Sequence, residues 1–397
     1  MSTISTAIDF RDPAYRTDPY PYLEMLRRYA PVCQVPSGFW LVTRYEDVNA
    51  LNRDPRLGRD LRKWAGYEEI RPYLADSPLE KCAEQWMFSL DPPAQTRLRR
   101  LFAKAFTPRI VNAMCQQITS IADTLLAGLT GEFDFMSQFA QPLPVRVITG
   151  LLDLPQADYA QLKAWSDALV VVVEPVASKA SRKLASDVAV EMMAYLQDHL
   201  RHYDKEDTFL GELLAATRGE ALSEDELVAN LVLLFVAGHE TTTNWLGNGL
   251  LALLRHPDQM IRLRQKPELM ATAVEELLRY DSPANINARV NHQEIEMGGQ
   301  TIPTGSLIFC MLGAANRDET IFAEPNRLDI GRNPNPHVSF GGGPHYCLGA
   351  PLARLEAQIA FNQILQCWPV IKLDENQVVW RDLVNVRGLE RLVISIQ

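Results

Sequence analysis

The chain has 397 residues, 47% of them hydrophobic and 22% charged, with a net charge of −10. That composition supports a large buried core and excludes both a disordered chain and a small disulfide-stapled scaffold. The acidic balance excludes a nucleic-acid-binding surface over the whole molecule, and no apolar run approaches the ~20 residues that a bilayer span needs, so neither nucleic acid nor a membrane anchor is expected.

The first nine residues lack a basic patch followed by an apolar run, so no secretory leader is expected and the protein is expected to be cytoplasmic. The six cysteines form no C-x-x-C pair, and in a reducing compartment each is by default a small buried residue. Residues 32–42 read as short strands around a glycine. Helical periodicity then dominates residues 93–256, with helices expected over 108–129, 157–171, 183–203 and 223–255. Residues 294–302, with Gly298-Gly299 in the middle, read as a hairpin, and 307–312 and 392–396 as further short strands. The expected fold class is therefore mainly α with a minor β region. The Pro-rich stretch 325–344 reads as a long irregular segment, and such loops are usually functional. The length alone suggests two or three domains, yet no linker or repeat divides the chain.

Ser223-Glu-Asp-Glu226 is a capping box, and His256-Pro257 marks the end of the helix it starts. At 1.5 Å per residue this helix spans roughly 45–50 Å, enough to cross the molecule. Its first half is apolar nearly all round. Then Ala237-Gly238-His239-Glu240-Thr241-Thr242-Thr243 interrupts it with poor helix formers and a carboxylate that is costly to bury. Broken local rules inside a buried element point to a site, and Gly beside Ala leaves room for a flat ligand. The alternative is a solvent-facing strip in which Thr241 back-bonds to the Ala237 carbonyl.

A second cluster is Phe340-Gly341-Gly342-Gly343-Pro344-His345-Tyr346-Cys347-Leu348-Gly349, followed by a helix with Pro351 in its first turn. A cysteine just ahead of a helix N-terminus is favoured as thiolate. No Gly-Lys-Ser/Thr follows, which excludes a P-loop. His337, His345 and Cys347 make a weak zinc set, lacking a second cysteine. A cysteine hydrolase stays open. An axial thiolate to haem uses the cysteine, the glycines and the irregular approach together.

With these residues in hand, the chain resembles the cytochrome P-450 family, the haem-thiolate monooxygenases, over nearly its whole length. Four motifs occur in order: Ala237-Gly238-x-Glu240-Thr241-Thr242, Glu276-Leu-Leu-Arg279, Asp329-Ile-Gly-Arg332, and Phe340-x-x-Gly343-x-His345-x-Cys347-x-Gly349. The resemblance implies one domain over 1–397, the triangular fold of that family, with the long central helix over the haem. It implies haem b with Cys347 as iron ligand, and Ala237, Gly238, Phe340, Gly341 and Gly349 around it. Gln95, Arg99, Arg289 and His345 fall at propionate positions, Gln95 standing where many bacterial members carry His. Bidentate, permanently charged arginine suits a carboxylate. Glu276, Arg279 and Arg332 match a structural ion-pair network. Thr241 matches the residue that hydrogen-bonds oxygen or an ordered water, and Glu240 the acid that relays protons from solvent.

The resemblance further implies insertion of one oxygen atom from O2 into a hydrophobic small molecule of polyketide, macrolide, terpenoid or fatty-acyl type, free or carrier-protein-bound. Rearranging or peroxygenase-like haem enzymes remain the alternative; they often lack the acid–threonine pair. Substrate-lining candidates are Trp86, Met87, Phe88, Leu233, Val236, Asn285, Ile286, Asn287, Asn385 and Val386, with residues 169–177 as a roof and the asparagines as polar handles. No ferredoxin-type cysteine cluster is present, so electrons are expected from a separate ferredoxin or flavodoxin with its NAD(P)H reductase. Such partners are acidic, and Arg100, Lys104, Arg109 and Arg354 are candidates for a local basic docking face.

Overall fold

The longest element begins at the capping box. Ser223 Oγ accepts from the Glu226 N–H while the Glu226 carboxylate accepts from the Ser223 N–H. Glu224, Asp225 and Glu226 set three acids at the positive end of the helix. The helix runs Glu224–Arg255, 32 residues, and stops at His256 before Pro257. Most of its side chains from Leu227 to Leu253 are buried, as an all-round apolar surface requires. Each fully buried leucine along it contributes roughly 1.5–3 kcal/mol. Helices Pro142–Leu151, Tyr159–Leu169, Lys179–Arg201, Met270–Tyr280 and Ala350–Cys367 pack on this axis. The computed structural model describes residues 9–10, 12–74, 77–174, 178–218 and 221–397. Residues 1–8, on which the leader reading rests, and residues 175–177 of the roof segment lie outside the described residues.

The main sheet has the strand order Val32–Gln34, Trp40–Val42, Leu307–Met311, Ile286–Asn291, Leu57–Gly58. Its only parallel pair joins Trp40–Val42 to Leu307–Met311. The hairpin Ile295–Met297/Gln300–Ile302 turns on Gly298 and Gly299, both at positive φ, the conformation a tight two-residue turn demands. The strand Ile286–Asn291, next to the edge of the sheet, is absent from the sequence reading. Its residues do alternate, Ile286, Ala288 and Val290 against Asn287, Arg289 and Asn291, but only Ile286 and Val290 are of the β-branched or aromatic types that favour strands. It pairs residue by residue with Leu307–Met311, placing Arg289 opposite Ile308.

Two helix boundaries differ from expectation. Residues 108–129 form two helices, Pro108–Ala113 and Cys115–Ala127, because the Met114 N–H bonds back within the first one. Residues 183–203 begin earlier, at Lys179, because Ser178 Oγ caps Ser181 N–H. The largest apolar cluster draws on residues from Leu79 to Ile394, tying the helices to the C-terminal strands. No helix among the described residues is long and apolar enough to cross a membrane.

Candidate functional site

Residues 316–349 carry no helix or strand except the single turn Gly343–His345. Irregular buried backbone must find side-chain partners. Asn316 supplies two: Oδ1 accepts from Val338 N–H and Nδ2 donates to Ser339 Oγ, both at 2.8 Å. The loop then closes on itself, with Cys347 N–H donating to the Phe340 carbonyl at 3.0 Å. Gly343 has φ +62°, and a Cβ there would lie 2.4 Å from the Asn52 carbonyl oxygen, so only glycine fits. Cys347 is half-buried three residues ahead of helix Ala350–Cys367. Burial pushes its thiol upward; the N–H groups of Gly349 and Ala350 and the charges of Arg99 and Arg354 act the other way and favour thiolate.

In the middle of the central helix Ala237 is exposed, and Leu234, Gly238 and Thr241 are part-exposed, while His239, Glu240 and residues 242–250 are buried. Positions 234, 237, 238 and 241 lie three and four apart and so form one accessible stripe. One turn beyond Thr241, Trp245 meets the Phe340 ring edge-on at 6.2 Å. The stripe therefore runs toward the cysteine loop. Thr241 Oγ1 donates to the Ala237 carbonyl at 2.8 Å. Its one hydrogen is engaged, and its lone pairs remain to accept.

Glu240 is only 2% exposed. Its carboxylate pairs with Arg381 and lies 3.8 Å from His239 Nδ1. His239 Nδ1 is 2.9 Å from Ser166 Oγ, and burial pulls the imidazole down to about 3, so it is neutral at pH 7. Asp167, His239 and Glu240 each present an atom within 4.8 Å of the others. Lys163 sits 2.6 Å from Asp167 and Arg381 holds Glu240. With both carboxylates already neutralised, this is an ion-pair cluster, not a metal centre. A relay of protons from solvent to Glu240 would therefore run through its neighbours, of which Asp167 is 38% exposed.

A second set of groups is cationic. Arg289 is buried and bonds only neutral oxygens: Asn287 Oδ1 at 2.8 Å, the Ala288 carbonyl at 3.0 Å and Asn52 Oδ1 at 3.2 Å. Arg59 lies over the Phe88 ring, 3.6 Å from its centroid. Burial first, then the Arg289 charge, pulls Arg59 well below its ordinary value. Burial and the charges of Arg59, Arg289 and Arg99 pull His345 down to about 2. Asp91, the nearby acid, is engaged by Lys63 at 2.8 Å, His292 at 3.3 Å and the Arg59 N–H at 2.6 Å. Among the described residues no carboxylate forms an ion pair with Arg59, Arg99 or Arg289. Buried cations without anions are costly, so the cluster suits a ligand with carboxylates. Gln95 Nε2 donates one hydrogen to the Pro344 carbonyl at 2.7 Å, which ties the cysteine loop to helix Ala94–Ala105, and carries a second hydrogen.

Glu276 and Arg279 are fully buried and bonded at 2.7 and 2.8 Å, and Arg332 Nε reaches both Glu276 oxygens at 3.1 and 3.0 Å. This network pins the irregular segment to helix Met270–Tyr280. The substrate-lining set fares unevenly. Trp86 and Met87 lie in the apolar core, not at an open wall, whereas Phe88 is 37% exposed beneath Arg59. Leu233, Val236, Ile286 and Val386 are buried. Two of the three asparagines are not free handles. Asn287 bonds the side chains of Asn52, Arg59 and Arg289. Asn385 accepts from Ile286 N–H and donates to the Val173 carbonyl, each at 3.0 Å. Asn285 differs: its Oδ1 is buried beside Gly313 without a hydrogen-bond partner.

Several residues escape the sequence reading. Arg59 follows a glycine in an unremarkable segment. Glu174 accepts from the N–H groups of Val384, Asn385 and Val386 at 2.8, 3.2 and 2.8 Å, linking the roof segment to the C-terminal loop. The signal was a lone acid ending the run Val170-Val-Val-Val173. Glu356 is buried with Oε2 unpartnered, and burial pushes its carboxyl well above the ordinary value. Glu275 and Arg381 gain their roles only through distant partners.

The chain matches the family profile described as Cytochrome P450 over residues 144–266 and 260–382. It is 41% identical over 365 residues to the polyketide biosynthesis cytochrome P450 PksS of Bacillus subtilis, covering 90% of this chain and 89% of that one. It is 41% identical over 391 residues to the vitamin D(3) 25-hydroxylase of Pseudonocardia autotrophica, covering 96% and 94%. Among solved structures, P450BioI in complex with hexadec-9Z-enoic acid ligated acyl carrier protein superimposes with a TM-score of 0.89 at 36% identity, covering 97% and 99%. The chain belongs to the cytochrome P450 family. It is an oxidoreductase of the monooxygenase class with that family's mainly helical fold, and the family implies a haem-thiolate cofactor. The residues present fit that group: a cysteine under helix-terminal N–H groups, an accessible stripe on a buried helix, and arginines without anions.

Proposed function

We propose that residues 1–397 form one haem b monooxygenase unit that inserts one oxygen atom from O2 into a hydrophobic small molecule, by hydroxylation or epoxidation. When bound, the haem would supply oxygen activation, for which an axial thiolate is suited. The observation that carries the reading is the juxtaposition of Cys347, under the N–H groups of Gly349 and Ala350, with the accessible stripe Ala237, Gly238 and Thr241. In this reading Cys347 is the iron ligand. Arg59, Arg99, Arg289 and His345 hold the propionates. Thr241 accepts a hydrogen bond from an ordered water, and Glu240 holds a proton behind it.

Relatives named for polyketide biosynthesis, for vitamin D(3) and for a fatty acyl carrier complex agree on large apolar substrates with few oxygens. This chain fits that class through shape more than polarity, since Asn287 and Asn385 are engaged within the fold. Electrons come from a separate acidic ferredoxin or flavodoxin. Arg100, Lys104 and Arg109 are exposed and form no ion pair among the described residues, so they suit its docking.

The test is turnover under labelled O2 with a surrogate ferredoxin, its reductase and NAD(P)H, on polyketide, sterol and fatty-acyl compounds preselected by their Soret shift. The reading expects one labelled oxygen atom in the product. Label found in no product, or oxygen drawn from water, contradicts it.

A further inference from the structure

The sequence reading places Arg354 on the docking face, but the structure turns it inward. Its Nε donates to Glu275 Oε1 at 2.7 Å and its Nη2 to Glu275 Oε2 at 2.8 Å, a bidentate fork. Its remaining nitrogen, Nη1, donates to Tyr346 Oη at 3.2 Å. The guanidinium carbon lies 4.4 Å from the centroid of the Phe340 ring, a cation–π distance. Phe340 and Tyr346 both belong to the loop that leads into Cys347, whose N–H donates to the Phe340 carbonyl.

The same carboxylate has a second arm. Ser339 N–H donates to His337 Nδ1 at 3.3 Å, so the ring hydrogen sits on Nε2, which donates to Glu275 Oε2 at 3.0 Å. One carboxylate thus joins helix Met270–Tyr280 to the loop at His337 and to helix Ala350–Cys367 at Arg354, on both sides of the cysteine. Burial acts to raise Glu275, but the hydrogen bonds from Arg354 and His337 and the Arg354 charge outweigh it and hold the group down at about 2. The Arg354 charge is also within electrostatic reach of the Cys347 sulfur. Glu275 and Arg354 remain 24% and 30% exposed, and the neighbouring Glu276 network already pins the segment, so this tie is separate from the structural one.

We propose that Glu275, through Arg354 and His337, is a positioning residue that holds the Cys347 loop in its thiolate geometry and balances the charge behind the sulfur. The inference rests on Cys347 being the haem ligand. Replacing Glu275 leaves the Arg354 cation unbalanced near the sulfur and frees both arms of the loop. Replacing Arg354 removes the cation and leaves the carboxylate.

The experiment uses the purified holoenzyme without any redox partner, so docking does not enter. The midpoint potential of the iron and the rate at which the reduced carbon-monoxide complex loses its thiolate-type Soret band are measured for the wild type, Glu275→Gln, Arg354→Gln and Arg354→Lys. The potential is expected to rise in Glu275→Gln and fall in Arg354→Gln, opposite directions that a merely structural role would not produce. Both variants lose the band roughly 5- to 30-fold faster, the factor that one or two kcal/mol of lost hydrogen bonding gives. Arg354→Lys keeps the potential near wild type yet loses the band faster, since lysine keeps the charge without the fork. Potentials that stay put or move together, with unchanged rates of band loss, overturn the proposal. A wild type that shows no thiolate band at all refutes the ligand reading instead.

Discussion

Thr241 is where one side chain meets two demands. Its hydrogen satisfies the Ala237 carbonyl at 2.8 Å, while its oxygen faces the accessible stripe and can only accept. A donor held there, an ordered water foremost, is oriented with its other hydrogen free for transfer. Replacing Thr241 with Ala removes that acceptor and leaves the helix intact. The expected outcome is a several-fold fall in product formed per NAD(P)H consumed, with the balance appearing as peroxide. Unchanged coupling would count against the role. The same residue shows what the sequence could tell. The motif pointed to position 241, but whether its hydroxyl donated or accepted depended on the turn below it. Asn287 and Asn385 show the opposite case. Polar residues among apolar neighbours read as substrate handles, yet backbone and arginine partners far away in sequence had already engaged them.

At the scale of elements, the packing of helix Tyr159–Leu169 on the central helix buries His239 between Ser166, Asp167, Lys163, Glu240 and Arg381. No local pattern signals this contact, because Glu240 and Arg381 are 141 positions apart. It has a measurable consequence. Burial holds His239 at about 3 in the folded protein, against 6.5 as its ordinary value. Between those values the unfolded chain binds more protons than the folded one, so stability falls as pH drops from 6.5 toward 3. His239→Gln removes the titrating group. The urea midpoint of the variant is expected to depend less on pH between 6.5 and 4 than that of the wild type. Identical slopes would show that His239 is not buried uncharged. By contrast the capping box, the hairpin glycines and the cysteine loop were legible, since each is written in adjacent residues whose backbone needs are local.

For the whole molecule, length alone suggested several domains; the largest apolar cluster runs from Leu79 to Ile394 around the central helix, with two smaller clusters at the main sheet. The central helix and the cysteine loop, far apart in sequence, meet at Trp245 and Phe340. The sheet was harder to read than the helices because its strand Ile286–Asn291 carries the polar residues that hold the cationic cluster. The alternation is present there, but Asn287, Arg289 and Asn291 are not strand-favouring residue types. The acidic balance likewise conceals a local exception in Arg100, Lys104 and Arg109, which form no ion pair among the described residues. The account converges on one sulfur. Its most direct test is the absorption spectrum of the reduced carbon-monoxide complex of the wild type and Cys347→Ser. The wild type is expected to show the red-shifted Soret band of a thiolate ligand, and the variant to lose it while still binding haem. A Cys347→Ser protein that keeps the red-shifted band would contradict the account.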